Sequence, residues 1–315
     1  MRAAALSGLG AHRTTRRDGN TEIAARIDSS DAWIRERSGI VTRGVAGVDE
    51  SVVDMATSAG GKALAAAGVD PADVDLVLLA TCSMPGPLPG GSPEVAHRLG
   101  AQHAGASDIG AGCAGWTYAL ALAADSVRAG TSDHVLVIGS EKLLPMVDPD
   151  DRGTAFLFGG GAGAAVVSLV PDGQDGIGRV VWAHDGDQHG RLVIEGSPLR
   201  LQMEGRAIYR WATTALPDLA RTACGRAGIE LADLAAFVPH QANLRITESV
   251  VKQLALPPSV VVSRDVVDSG NTSAASVPLA LARLAEEGAI RRGDAVLLLG
   301  FGAGLTAAGQ VVRCP

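Results

Sequence analysis

Hydrophobic and polar positions along the chain fall into two alternating rhythms. After Cys113, the residues Trp116, Leu120, Ala123 and Val127 recur at helical spacing and predict a helix with one buried face. Leu76–Ala80 is an unbroken apolar run, the pattern of a parallel strand buried on both faces. Similar strand patterns fall at residues 2–8, 134–139, 177–183, 235–238, 260–262, 295–300 and 307–312. Helical patterns lie between them. One covers residues 22–27, and the next follows the caps Ser29-Ser30-Asp31 and carries Trp33, Ile34 and Arg37. Others cover residues 49–67, closed by Gly68, and Ser92–Leu99, with Pro93 in its first turn. A long one spans residues 203–227 around Pro217, one runs to Leu254, and a last one is opened by residues 268–278 and runs to Glu287. Strands alternating with helices in two comparable halves predict layered α/β architecture, divided into residues 1–170 and 171–315.

Composition narrows the function. The 315 residues, 47% hydrophobic and 19% charged, suffice for a large core. A net charge of −7 argues against nucleic-acid binding by bulk electrostatics. Cys82, Cys113, Cys224 and Cys314 are widely spaced and lack zinc-like partner spacing, so free thiols, a cytoplasmic location and no metal are expected. No apolar run is long enough to predict a membrane span, and the N-terminus has no long apolar leader.

Three polar residues stand out. Cys113 falls at or just before the N-terminus of the helix it precedes, where unpaired N–H groups and the positive end of the dipole stabilise a thiolate. A cysteine among small residues is equally a packing residue. His240 and Asn271 also fall where a strand is expected to give way to a helix, the usual edge for an α/β active site. Singly they read as a core histidine and a helix cap. The glycines of 158–164 invite a dinucleotide-loop reading, but they run into a strand rather than a helix, so close strand packing accounts for them better. Residues 83–93, rich in proline and glycine, predict a loop that lines a pocket or interface.

Several motifs occur together in order: the Cys113 stretch, Asp151-Arg152-Gly153, Phe158-Gly-Gly-Gly-Ala-Gly-Ala164, His240-Gln-Ala-Asn-Leu-Arg245, Gly270-Asn271-Thr-Ser-Ala-Ala-Ser276 and Gly300-Phe-Gly-Ala-Gly-Leu-Thr306. On these, nearly end to end, the chain resembles β-ketoacyl-acyl-carrier-protein synthase III of the thiolase superfamily. The resemblance implies a thiolase-like five-layered αβαβα fold of two similar halves, a homodimer, and no cofactor. It implies that Cys113 takes the acyl group of an acyl-CoA primer. Malonyl-acyl carrier protein is then decarboxylated, with His240 and Asn271 stabilising the enolate oxygen, and the carbanion attacks the acyl-cysteine to give a 3-oxoacyl chain. The backbone N–H groups of Cys113, Ala303 and Gly304 would form an oxyanion hole. Ser29, Trp33, Arg37 and Arg152 would bind CoA. Arg210, Gln241, Ala242, Asn243, Leu244, Arg245 and Lys252 would dock the acidic carrier protein.

Some positions depart from the family pattern. Gly160 replaces a common aspartate, with a structural effect expected, and Trp116 replaces a common phenylalanine after the nucleophile. Leu88, where some members have phenylalanine, lies in the loop that would reach the partner subunit's acyl pocket and implies a primer larger than acetyl. Residues 185–201 form a shorter pocket cover. Two other readings stand beside condensation: an acyltransferase on the same scaffold that omits decarboxylation, and a silent partner subunit, which the presence of Cys113 disfavours.

Overall fold

A computed structural model describes residues 2–170, 173 and 175–315. Two five-stranded sheets form its frame. The first contains, across its width, Ala3–Arg13, Gly160–Val170, His134–Lys142, Leu76–Ala80 and Gly105–Ile109. The second contains Val181–Ala183, Thr306–Arg313, Ala295–Gly302, Ala236–Pro239 and Val261–Val262. Numbered along the chain within each sheet, both have the order 1-5-4-2-3. Both also have the same directions: the first two pairings are antiparallel and the last two parallel. The two halves are therefore repeats of one topology.

The helices Gly115–Ala129 and Ser276–Glu286 lie between the sheets and touch both. They share a core with the inner sheet faces, including Trp116, Leu120, Val127, Val137, Leu281 and Leu298. Val52–Ala67 and Ser92–Leu99 cover the outside of the first sheet, and Gly205–Ala227 and Leu244–Leu254 the outside of the second. The result is five layers, αβαβα. The glycine-rich 158–164 stretch leads into a strand, and the central helix lies close against it. A Cβ on Gly163 would stand 2.7 Å from the Leu279 nitrogen. Close packing is thus the reason for these glycines, as the sequence suggests.

Several predicted elements differ in detail. The long helix around Pro217 is present as expected and runs continuously from Gly205 to Ala227, two residues shorter at its start. The carbonyl of Thr213, four residues earlier, loses its helical donor to the proline and instead accepts a bond from the Gln253 side chain at 2.8 Å. The helix expected from residue 268 begins only at Ser276. Gly270 and Ser273 take φ of +69° and +47°, and Asn271 pairs with Phe158 in an isolated bridge. That stretch is irregular because it builds the site. The strand Gly105–Ile109 and the short ladder Arg16–Gly19 with Thr42–Val45 carry too few apolar residues to show in the hydrophobic pattern, and the four-residue strands Leu192–Glu195 and Arg200–Met203 are too short to establish one.

Candidate active site

Cys113 sits in a single helical turn, Gly112–Ala114, between the Gly105–Ile109 strand and the central Gly115–Ala129 helix. Trp116 one turn on is fully buried and donates its indole N–H to the Val137 carbonyl at 3.2 Å, which anchors this helix to the first sheet. Two other turns close around the cysteine. Ser273–Ala275 packs against it from one side and Ala303–Leu305 from the other. The second approach is possible because residue 302 is glycine: a Cβ there would lie 2.7 Å from the Cys113 nitrogen. The turn holding Ala303 and Gly304 is therefore beside the nucleophile's backbone, where an oxyanion hole belongs.

The thiol is buried, and burial pushes it up to about 12, opposed by a bond from Ser273 and by its own backbone N–H. This corrects the sequence expectation of a stabilised thiolate. Desolvation is the largest influence, the charge of Glu141 adds to it, and the resting group is a thiol.

His240 follows the strand Ala236–Pro239 and is buried with its ring edge-on to Phe301, centroids 4.9 Å apart. Burial lowers it to about 3, so the ring is neutral. Its Nδ1 lies 2.6 Å from the Ser276 hydroxyl. That hydroxyl also accepts the Gln241 backbone N–H at 3.3 Å and is free to donate its own proton to Nδ1. The ring proton is then on Nε2, and His240 is a donor there. Asn271 has the same design. Its Oδ1 accepts the Ser273 N–H at 2.8 Å, which leaves the side-chain NH2 to donate. It leaves a short helix, Val266–Ser269, rather than a strand, a correction to its expected placement. The structure thus gathers Cys113, His240 and Asn271 around the 273–276 and 301–304 segments.

A second cluster lies at the surface. The guanidinium groups of Arg37 and Arg152 lie 5.4 and 5.0 Å from the Trp33 ring centroid, and Phe156 packs edge-on against that ring at 5.3 Å. Ser30 caps the helix Asp31–Ser38 that carries Trp33. The neighbouring Ser29 hydroxyl is buried without a partner. The hairpin of Leu192–Glu195 and Arg200–Met203 joins the same hydrophobic cluster. Asn243 caps the helix Leu244–Leu254 and also donates to the Arg37 carbonyl at 3.0 Å, tying the two surfaces together.

Arg245, Arg210 and Lys252 are exposed, with Arg245 stacked 5.8 Å from the Tyr209 centroid. Gln241 does not belong with them. It is buried, donating to the Pro239 carbonyl at 2.7 Å and accepting the Val266 N–H at 3.1 Å, so it braces the His240 loop instead of meeting a partner. Ala242, Asn243 and Leu244 are half-buried, with packing and capping tasks. Leu88 is 86% exposed. Sequence reasoning missed Ser273, Ser276, Cys82 and Glu141; the first two lie inside a motif it singled out, the last two had no signal of their own. It also missed Arg264, which shares a groove with Lys252 and Glu248.

Such a site, a buried thiol, a buried neutral imidazole and a buried amide on turns of a two-sheet αβαβα frame, defines a thiolase-fold condensing enzyme. Family models for 3-oxoacyl-[acyl-carrier-protein] synthase III match residues 107–186, and for its C-terminal part residues 224–314. The chain is 50% identical over 311 residues to β-ketoacyl-[acyl-carrier-protein] synthase III 4 of Streptomyces coelicolor, covering 98% of each. It is 49% identical to synthase III 2 of Streptomyces avermitilis, covering 100% of each. A solved structure of the priming β-ketosynthase of the R1128 polyketide pathway superposes with a TM-score of 0.97 at 44% identity, over 100% of this chain and 97% of that one. The chain belongs to the β-ketoacyl-acyl-carrier-protein synthase III family.

Proposed function

We propose that this condensing enzyme loads Cys113 from an acyl-CoA primer and extends it with malonyl-acyl carrier protein. One observation carries the reading. Ser276 bonds the Nδ1 of the buried His240 ring and the Ser273 N–H occupies the Asn271 Oδ1, which leaves the ring's Nε2 and the Asn271 NH2 to act as donors. Two donors without a free base suit an enolate oxygen. Decarboxylation of the malonyl group places negative charge on that oxygen, and the carbanion then attacks the acyl-Cys113 carbonyl. The tetrahedral oxyanion is received by the N–H groups of Cys113 and the Ala303–Gly304 turn. An acyltransferase without decarboxylation needs a base for its acceptor; with Ser276 donating to Nδ1, His240 carries its proton on Nε2 and does not supply one.

Trp33, Arg37, Arg152 and the unpartnered Ser29 hydroxyl form the nucleotide end of the CoA site, offering an aromatic face and two cations. Arg210, Arg245 and Lys252 dock the acidic carrier protein. A homodimer is favoured by the strand Gly105–Ile109, which is paired on one side only, and by Leu88, which projects from its loop. In that dimer Leu88 reaches the partner subunit's primer pocket. The four free thiols fit a reducing, cytoplasmic setting. The test is carbon dioxide release on mixing enzyme, acyl-CoA and malonyl-carrier protein. Release matched by 3-oxoacyl carrier protein is expected; acyl transfer to another acceptor without carbon dioxide would contradict it.

A further inference from the structure

The fully buried carboxyl of Glu141 has no part in that scheme, yet it is bonded to the turn that follows Asn271. It projects from the strand His134–Lys142, and its neighbour Lys142 turns its ammonium away to the carbonyls of Gly47 and Glu50. One carboxyl oxygen accepts the Ala274 N–H at 3.4 Å and the Cys82 thiol at 3.3 Å. The other accepts the hydroxyls of Thr81 and Ser83, and the Cys82 N–H is shared between the two at 3.3 and 3.2 Å. The same strand makes room for the turn. A Cβ on Gly139 would stand 2.4 Å from the Ala274 carbonyl oxygen, so backbone lies directly on backbone there. Cys82, itself held by Glu141, has its sulfur 3.6 Å from the Ser273 hydroxyl.

The turn held in this way is strained. Ser273 takes φ of +47°, a left-handed conformation that an L-residue keeps only where its surroundings fix it. Its N–H is the donor that occupies the Asn271 Oδ1 at 2.8 Å and leaves the amide NH2 free. Relaxation of Ser273 would turn that N–H off the amide oxygen and release the amide to reorient. We propose that Glu141 is a positioning residue for decarboxylation: by holding the Ala274 N–H it keeps the strained Ser273 turn in place, and the turn keeps the Asn271 amide aimed as a donor. This inference rests on Asn271 acting on the enolate oxygen.

Such a role needs an acceptor at this point and not a charge. Burial raises the carboxyl above its ordinary range, which already disfavours the anion. Glutamine meets the requirement. Its carbonyl takes the Ala274 and Cys82 N–H groups, while its NH2 faces the hydroxyls of Thr81 and Ser83, which can rotate to accept. Aspartate keeps the charge but is one methylene short of the Ala274 N–H, and alanine removes the acceptor altogether. Acyl loading of Cys113 does not use the Asn271 amide, so the two half-reactions separate this role from a general structural one.

The test measures two rates in wild type, Glu141→Ala, Glu141→Asp and Glu141→Gln: acylation of Cys113 by acyl-CoA, and discharge of the preloaded acyl-enzyme by malonyl-carrier protein. Alanine and aspartate are expected to slow discharge about tenfold or more and acylation by less than about threefold, and glutamine to restore discharge to within about threefold of wild type. Added to Asn271→Ala, Glu141→Ala should cost little more, because it acts through the amide. Both rates falling together in Glu141→Ala, or full additivity with Asn271→Ala, would make Glu141 only structural and overturn the inference. Slow discharge in Glu141→Gln would make its charge the contribution and overturn it too. If Glu141→Ala does not fold, Glu141→Asp and Glu141→Gln decide by the same comparison. Asn271→Ala alone separates the two readings. Undiminished discharge there would remove the enolate reading; slow discharge there, beside undiminished discharge in Glu141→Ala and Glu141→Asp, would remove only the positioning role.

Discussion

At the scale of single residues, the site works by leaving chosen atoms free. Ser276 holds the His240 ring through Nδ1, and the Ser273 N–H fixes the Asn271 amide. Removing either donor, by His240→Ala or Asn271→Ala, is expected to lower condensation on the order of 10²–10³-fold while leaving acyl loading of Cys113 in place, measured by separate loading and condensation assays. Ser276→Ala frees the ring to take either tautomer and should lower condensation without affecting loading, a smaller loss than removing the ring.

His240 also sets a pH dependence. Its folded value, about 3, lies below the ordinary imidazole range near 6.5, so between those values the unfolded chain binds a proton that the folded one does not. Its contribution is fully present above about pH 6.5 and is lost as pH falls, by up to about 1.4 kcal/mol per pH unit. Denaturant unfolding at pH 7, 6 and 5 should show a shallower decline in His240→Gln than in wild type.

At the scale of elements, close approach of backbones builds both the frame and the site. Gly163 lets the central helix meet the first sheet, and Gly302 lets its turn meet Cys113. Alanine at Gly163 should destabilise by about 2 kcal/mol or more, because it must push backbone rather than a flexible side chain. Alanine at Gly302 should instead act mainly on catalysis, by displacing the oxyanion turn. Comparing unfolding midpoints with turnover for the two variants checks this division.

Elements are also where the sequence was most and least readable. Leu76–Ala80 and Ser92–Leu99 appear with their predicted bounds, because apolar runs and a proline at the first turn are local signals. The Cys113, His240 and Asn271 motifs were legible through resemblance. What surrounds them was not. Glu141 and Cys82 read as an ordinary charged residue and a spare thiol, since only tertiary packing brings 82, 141 and 273 together. Gln241 looked like part of a docking motif, yet its amide is consumed by Pro239 and Val266. The thiol's resting state also depends on burial, which the helix-terminus argument omits.

At the scale of the whole molecule, the enzyme carries net charge −7 but presents Arg210, Arg245 and Lys252 on one face. Charge reversal there should raise KM for the carrier protein, increasingly at low salt, and leave loading from acyl-CoA intact. Trp33→Ala should do the opposite, weakening acyl-CoA and sparing the carrier protein. The exposed Leu88 predicts that branched or medium-chain acyl-CoAs compete well with acetyl-CoA in mixed-primer assays; clear preference for acetyl would remove the larger-primer reading.

The most direct measurement is intact-mass analysis after acyl-CoA, and then malonyl-carrier protein, are added in turn. An acyl adduct on wild type, absent from Cys113→Ala and discharged as 3-oxoacyl carrier protein, is the predicted result. No adduct with any primer, or an adduct that malonyl-carrier protein never discharges, would contradict it.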